Sequence, residues 1–241
     1  MSELVSILSS SALVVLVAVL LRNLLSGTPA LASALNSTDP TDAAIRDLAA
    51  VFQSRDLTIP RTQDLAVMLL ILPDYPRLVR ERPLEHVFAA VNHFYRVATE
   101  VADRQKGEVA TLVGGELCIL FGRILPVERP LQTAVASALE IVARFGSELP
   151  EGTAIRGAAA AITEGPALSG PVGGEWRRTY ASVGAPVEDA LAMARSLSPG
   201  EVRVPVSLQP RLADFDFEPP APSATSIRIL AQRAPPPPPQ A

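Results

Sequence analysis

The sequence is poor in the side chains that many binding and redox sites use. Its 241 residues include one lysine, Lys106, one cysteine, Cys118, and two histidines. A single cysteine cannot form an internal disulfide, and its place in an apolar run predicts a buried thiol in a reducing compartment. Any polyphosphate site would therefore depend on arginine. The net charge of −4 argues against nucleic acid as a partner, since such proteins normally carry a basic surface.

The two histidines do not predict a metal site. His86 and His93 are seven residues apart, which places them two turns apart on one helix face. That separation is too large for a compact chelate, so we expect them to be ordinary surface or core side chains. The sequence predicts no bound metal and no cofactor.

One long stretch lacks charge altogether. It runs from Leu4 to Leu21, close to the length of about 20 residues that spans a bilayer. Glu3 precedes it and Arg22 follows it, which favours a membrane anchor over residues 1–25 rather than a cleaved signal peptide. The small-residue stretch Ala30 to Ser33 would suit the signal peptide. Arg22 predicts that the following chain is cytoplasmic, as in a single-pass protein of the inner membrane.

The anchor is followed by a linker, a single large domain and a tail. Residues 26–60 begin with a turn-rich stretch and then contain a short amphipathic helix, which Thr41 and Asp42 can cap. The apolar stripe of this helix consists of Ala44, Ile45, Leu48, Ala49, Val51 and Phe52. Residues 61–232 form the domain. Residues 233–241 are a proline-rich tail, expected to be extended and disordered.

The domain shows a regular alternation of strand and helix patterns. The segments are a buried strand (Asp64 to Leu72), an amphipathic helix (Pro83 to Gln105), a hairpin (Lys106 to Gly122), a second helix (Pro130 to Gly146), and an alanine-rich run with a second hairpin (Ala154 to Gly173). This order predicts an α+β fold, a ferredoxin-like βαββαβ sandwich in which both helices cover one face of the sheet.

Three stretches of the domain carry motifs at ordered spacing. The segment from Glu175 to Pro205 contains an arginine-rich hairpin, a strand, a helix and a Pro-Gly-Glu turn, and the other two stretches are the hairpin from Lys106 to Gly122 and the strand ending before Tyr75. The residues concerned are Tyr180, Gly184, Val187, Pro199, Gly200 and Glu201 in the first stretch, and Gly107, Val109, Gly114 and Phe121 in the hairpin. Together these stretches resemble class III nucleotidyl cyclase homology domains, in which the hairpin and the strand are the metal-binding elements. The resemblance covers roughly residues 64–231.

The resemblance also implies which catalytic groups are missing. Family members hold two divalent cations with two aspartates, and the matching positions are Ile71 and Gly115, which cannot bind a metal. The positions that recognise the base and stabilise the transition state hold Thr111, Ala185, Glu188 and Ala192. We therefore expect a pseudo-enzyme, with the hairpin kept for its shape and the metal site lost.

Two neighbouring carboxylates do not repair the site in this interpretation. Glu116 follows Gly115 directly, and one step along a strand turns a side chain to the opposite face. Asp74 lies in the loop before Pro76, where a turn role is simpler.

The leading hypothesis is a catalytically inactive, membrane-anchored accessory or scaffolding subunit of a membrane protein complex. Its partners would be other integral membrane subunits, with a homodimer through the face that the family uses as a further option. Trp176, Arg177 and Arg178 are the candidate partner interface, because aromatic and arginine side chains are enriched in interface hot spots. The alternatives are a ligand-sensing regulatory pseudo-cyclase and a degenerate domain similar to diguanylate cyclases, which the letters GGEL favour. Richness in alanine, arginine and proline suggests a bacterial source.

Overall fold

The computed structural model describes residues 59–149, 155–174, 178–219 and 221–233. The predicted anchor, residues 26–58 of the predicted linker with its short helix, and residues 234–241 of the predicted tail lie outside these ranges. No helix within the described ranges combines the length and the apolar character needed to cross a membrane.

The described chain alternates strands and helices around one mixed sheet. The strands are β1 (Arg61–Ile71), β2 (Glu108–Val113), β3 (Glu116–Phe121), β4 (Ala159–Gly173), β5 (Arg178–Val183), β6 (Val202–Pro205), β7 (Phe215–Phe217) and β8 (Ser226–Gln232). The helices are α1 (Tyr75–Glu81), α2 (Leu84–Arg104), α3 (Pro130–Ser147) and α4 (Ala185–Ala194), with a 3₁₀ turn at Val206–Arg211.

The sheet has the strand order β2-β3-β1-β4-β6-β8-β7, and β5 pairs with the far half of β4. Strand β1 is antiparallel to both β3 and β4, whereas β4 and β6 are parallel. The first part of the chain, from β1 through α2, β2, β3 and α3 to β4, is the predicted ferredoxin-like arrangement. That prediction is confirmed.

The two helices of the predicted unit, α2 and α3, cover one face of the sheet as expected, and a further helix, α4, covers the other face. The larger apolar cluster joins α2 and α3 to one face of β1, with Met68, Phe94 and Ile141 fully buried in it. A smaller cluster joins α4 to the other face, where Leu65 and Ala190 are fully buried. Alternate residues of β1 enter the two clusters because successive side chains of a strand point to opposite faces.

The predicted hairpin within residues 154–173 is instead a single strand. Strand β4 runs for 15 residues, and Pro166 pairs with Asp64 within it. The prediction was wrong because Gly-Pro pairs are strong turn signals, whereas here β1 pairs with β4 along all of its 11 residues and holds it extended. The chain reverses only after Gly173, and β5 returns along β4.

A buried ion pair ties β2 to the loop after β3. The side chain of Arg123 is 1% exposed, and its Nε donates to a carboxylate oxygen of Glu108 at 2.9 Å. The other carboxylate oxygen accepts hydrogen bonds from the backbone N–H groups of Ile124 and Leu125. The guanidinium also lies 5.4 Å from the centre of the Tyr180 ring on β5. The pair therefore connects three segments.

We expect Glu108→Gln to destabilise the fold by about 3–5 kcal/mol, because it removes the carboxylate charge that the buried guanidinium of Arg123 pairs with. Urea unfolding would measure the loss. The matched control is Glu140→Gln, which removes a carboxylate from the exposed pair with Arg104 and should cost about 1 kcal/mol or less. Equal effects of the two changes would contradict a structural role for the buried pair.

Candidate functional site

The end of β1 and the turn of the β2–β3 hairpin meet at one place. Ile71, the last residue of β1, pairs with Glu116, the first residue of β3. One residue later, the N–H of Leu72 donates to the carbonyl of Gly115 at 2.8 Å. Ile71 and Gly115, the two positions at which the resemblance would place metal-binding aspartates, are therefore neighbours in space.

Ile71 is an apolar core residue in this structure. It is 8% exposed and belongs to the apolar cluster beneath α4, together with Leu69, Cys118, Ala194 and Leu197. Burial raises the pKa of the Cys118 thiol to about 11, so the sulfur remains protonated and is not a thiolate ligand. This side of the site is an apolar wall.

The place of a side chain at position 115 is taken by Tyr75. A Cβ atom on Gly115 would lie 2.6 Å from both Cβ and Cγ of Tyr75, far inside van der Waals contact. The neighbouring Gly114 has a φ of +56°, as a tight hairpin turn requires. Its carbonyl accepts a hydrogen bond from the Tyr95 hydroxyl of α2 at 2.6 Å. Two tyrosines thus hold the turn against the helices.

Asp74 is buried, and its carboxylate is already hydrogen-bonded to two arginines. It is 3% exposed, and its carboxylate accepts hydrogen bonds from the backbone N–H and the guanidinium of Arg156 at 2.9–3.2 Å, and from Arg77 at 3.5 Å. The hydrogen bonds from Arg156 are the main reason that the pKa of this carboxyl lies below its usual value. Asp74 joins the loop after β1 to the segment before β4, a wider role than the predicted turn.

Glu116 does not point away from the site as predicted. It does alternate with Gly115, but residues directly opposite each other in antiparallel strands share a face, and Glu116 is opposite Ile71. The carboxylate-bearing residue therefore lines the same groove as Ile71. The sequence alone could not reveal this, because the pairing register between β1 and β3 was needed.

The groove is an open cleft of about 220 Å³ between the end of β1, the hairpin turn and α4. Helix α4 contributes Leu191 and Ala194 to its lining, and Arg195, the residue that follows α4, contributes as well. Arg195 was missed in the sequence analysis. It is exposed, as are Glu188 and Ala192 of α4, and the spacing of four and then three residues could have indicated it.

The groove therefore combines apolar walls with one carboxylate and one guanidinium. Within the described ranges, no three or more histidine, cysteine, aspartate or glutamate side chains come together as a metal site would require. Of the positions that the resemblance assigns to catalysis, Thr111 lies on β2, whereas Ala185, Glu188 and Ala192 lie on the exposed side of α4. His86 is exposed, and His93 packs against Phe145 with ring centres 5.4 Å apart.

The candidate partner interface belongs to the segment that joins β4 to β5 in the sequence. Trp176 and Arg177 fall outside the described residues. Arg178 is the first residue of β5 and pairs with Gly173 at the end of β4. Their proposed role in binding therefore remains a prediction.

Comparison with known proteins shows what this fold is similar to. No protein-family model matches the chain. An uncharacterized protein of Mycobacterium tuberculosis is 32% identical over 125 residues, which is 52% of this chain and 23% of that protein. A second uncharacterized protein of the same species is 31% identical over 126 residues, or 52% of this chain and 22% of that protein. The chain thus spans about a quarter of the length of the curated relatives it matches.

Three solved structures share the fold. The guanylyl cyclase Cya2 has a TM-score of 0.61 and 16% identity, over 73% of this chain and 95% of that one. The adenylyl cyclase CyaB from P. aeruginosa has a TM-score of 0.62 and 15% identity, over 73% and 97%. A dimeric guanylyl cyclase domain from the fungus Blastocladiella emersonii has a TM-score of 0.64 and 15% identity, over 73% and 99%. The chain therefore has the fold of adenylyl and guanylyl cyclase domains.

The contact between Gly115 and Tyr75 predicts a specific coupling. We expect Gly115→Ala to destabilise the protein by about 1–3 kcal/mol, because the new methyl group overlaps the tyrosine. In the double variant with Tyr75→Ala, the added cost of Gly115→Ala should largely disappear, which a double-mutant cycle of unfolding free energies would measure. Gly146→Ala is the control, since a Cβ there meets nothing within 4 Å. Additive effects of the two changes would contradict the contact.

The Asp74–Arg156 pair predicts a dependence of stability on pH. The folded-state pKa of Asp74 is lowered, so its contribution is present above the ordinary value near 3.8 and is lost as pH falls through the folded-state pKa. Asp74→Asn should therefore be less stable than the natural protein at pH 7, and the difference should shrink below about pH 4. Urea unfolding at a series of pH values would test this. A difference that is constant down to pH 3 would contradict it.

Proposed function

We propose that this protein is a catalytically inactive, membrane-anchored cyclase-like protein that works as an accessory or scaffolding subunit of a membrane protein complex. The observation that carries the proposal is that neither Ile71 nor Gly115, which are neighbours at the end of β1, offers a metal ligand or leaves space for one. Ile71 is packed under α4, and the side-chain space at Gly115 is taken by Tyr75.

The chemistry of nucleotide cyclisation explains why these positions matter. Divalent cations that bridge a triphosphate need hard oxygen ligands, which proteins supply mainly as carboxylates. Glu116 offers one carboxylate to the groove, and Arg195 adds a positive charge that disfavours a cation there. Asp74 is held by Arg156 and is not available as a second ligand. These contacts support a domain that keeps the fold without the reaction.

The size of the groove supports a scaffold over a nucleotide sensor. Ligand pockets usually enclose about 300–1,000 Å³, and the groove holds about 220 Å³. Among the residues that line the groove, Arg195 favours the sensor, because a guanidinium suits an anionic group such as a phosphate. The two functions differ in a measurable way, since only the sensor requires a bound nucleotide.

The proposed contact surface is the hairpin of β4 and β5. Its strands continue beyond the part of the sheet that α2 and α3 cover, and Trp176 and Arg177 lie between the two strands in the sequence. A large aromatic side chain next to arginine is the type of residue that dominates binding energy in interfaces. The predicted anchor would hold this surface close to other membrane subunits. A second copy of the chain is the other partner we consider, since one domain of the same fold is described as dimeric.

The first experiment is gentle solubilisation of the full chain from its native membrane. The sample is divided between identification of co-purifying proteins and an assay of ATP and GTP turnover with magnesium or manganese. We expect a stoichiometric membrane partner and no cyclic nucleotide. Cyclic nucleotide formed by the pure protein would overturn the proposal. A shift of Tm with ATP or GTP but no turnover would favour the sensor, because a ligand that binds only the folded state stabilises it.

The contact surface is tested with single variants of the full chain. We expect Trp176→Ala to reduce the amount of co-purified partner at least tenfold, corresponding to a hot-spot loss of about 1.4 kcal/mol or more. Phe88→Ala is the matched aromatic control, since Phe88 is highly exposed on α2, far along the chain from the β4–β5 turn. Loss of the partner with Phe88→Ala and retention with Trp176→Ala would place the contact on α2 instead.

A further inference from the structure

The hairpin of β4 and β5 exposes a largely apolar face, on which Thr179, opposite Val172, is polar. Leu168, Val172 and Val183 are 48%, 52% and 67% exposed. Leu168 and Val183 are directly opposite each other. Val172 lies four residues further along β4 and therefore on the same face. We call these residues, with Gly170 between Leu168 and Val172, the ribbon face.

The other side of the same hairpin is more polar and better buried. There Ser169 and Ser182 are paired, and their hydroxyl groups form a hydrogen bond at 2.7 Å. Ser169 is 1% exposed and Ala167 is 2% exposed. The hairpin thus directs its aliphatic side chains outward and its serines inward. This is the reverse of the usual arrangement at a solvated surface, and it indicates that something covers the ribbon face.

The start of the described chain lies on this face. A Cβ atom on Gly170 would lie 2.9 Å from both Cα and Cβ of Pro60. Because the Cβ of residue 170 would point to the same face as Leu168 and Val172, the exposed Pro60 lies against this face beside Gly170, directly before the pair of Arg61 with Ser169. The residues that precede Pro60 in the sequence therefore join the described chain next to the ribbon face.

The preceding sequence contains a segment of suitable chemistry and length. Residues 41–53 carry the apolar stripe of the predicted amphipathic helix. As a helix of this length they would extend about 20 Å, against about 14 Å between Leu168 and Val172 along the strand. Residues 54–58 can span up to about 17 Å, so the segment can turn back onto the face.

We propose that residues 41–53 of the same chain pack their apolar stripe on the ribbon face. The short connection favours this occupant over a separate molecule, because it keeps the segment at a high effective concentration next to the face. The contact would join the region that follows the predicted anchor to the hairpin with Trp176 at its turn. It would thereby set the orientation of that turn relative to the membrane.

Pairs of introduced cysteines test the contact in the full chain in detergent micelles. Val183→Cys is combined in turn with Ile45→Cys, Leu48→Cys and Phe52→Cys on the apolar stripe, and with Arg46→Cys and Ala50→Cys on the opposite side. The natural Cys118 does not compete, because its buried thiol has a pKa of about 11. We expect at least one stripe pair to form an intramolecular disulfide about tenfold faster than both control pairs.

Whether the disulfide forms within one chain or between two chains distinguishes residues 41–53 from a second copy as the occupant of the ribbon face. Disulfides that join two chains would overturn the proposal and identify a second copy as the occupant. Equal rates for stripe and control pairs would also overturn it, since a segment that does not pack would expose all its positions alike.

Hydrogen exchange gives an independent measurement that needs no crosslink. Leu48→Asp should speed amide exchange in residues 168–172 and 179–183 about tenfold, because the face loses its cover. Ala50→Asp introduces the same charge and similar loss of helix propensity on the other side of the segment, and should leave these rates unchanged. If the Leu48→Asp rates stay at the level of the natural protein, residues 41–53 do not cover the ribbon face.

Discussion

The pairing of β1 with both of its neighbours is the constraint on which the rest of the domain depends. Strand β1 pairs with β4 along its whole length and with β3 along half of it, and helices cover both of its faces. Every residue from Leu65 to Leu72 is buried as a result. A strand in this position must be apolar on both faces, because an unpaired polar side chain there would lose its hydration without compensation. Ile71 satisfies that requirement.

The same constraint connects the sheet to the site. Because β1 aligns β3 in register, the hairpin turn reaches the end of β1, where Tyr75 and Tyr95 pack and bond against its two glycines. These apolar and hydrogen-bonded contacts fix the hairpin turn against α1 and α2. A shared fold carries no activity with it, and function has to be argued from the side chains that line the groove.

The groove also shows which site residues a sequence motif can identify and which it cannot. Comparison of motifs placed Ile71 and Gly115 at matching positions, and the structure brings them together. The motif comparison could not place Glu116 in the groove. The side of the sheet on which a side chain lies is known only when its partner residue on the neighbouring strand is known. Nor could the motif comparison foresee that Asp74 is bonded to Arg156, which is 82 residues further along the chain. Contacts between distant segments depend on the packed fold.

The sequence by itself determined the order of the strands and the two long helices from β1 to β4, the tight turn at Gly114, and the lack of a carboxylate at the positions where the resemblance would place catalytic aspartates; it did not reveal the short helix α1. These follow from local patterns, since strand and helix periodicities and turn residues are properties of short segments. Only the tertiary structure decided that β4 is one continuous strand, that α4 covers the second face of the sheet, and that Glu116 and Arg195 share one groove. The physical reason is that pairing register and packing of distant segments override local signals: β1 holds the Gly-Pro pairs of β4 extended, and the same strand sets the face on which each side chain lies.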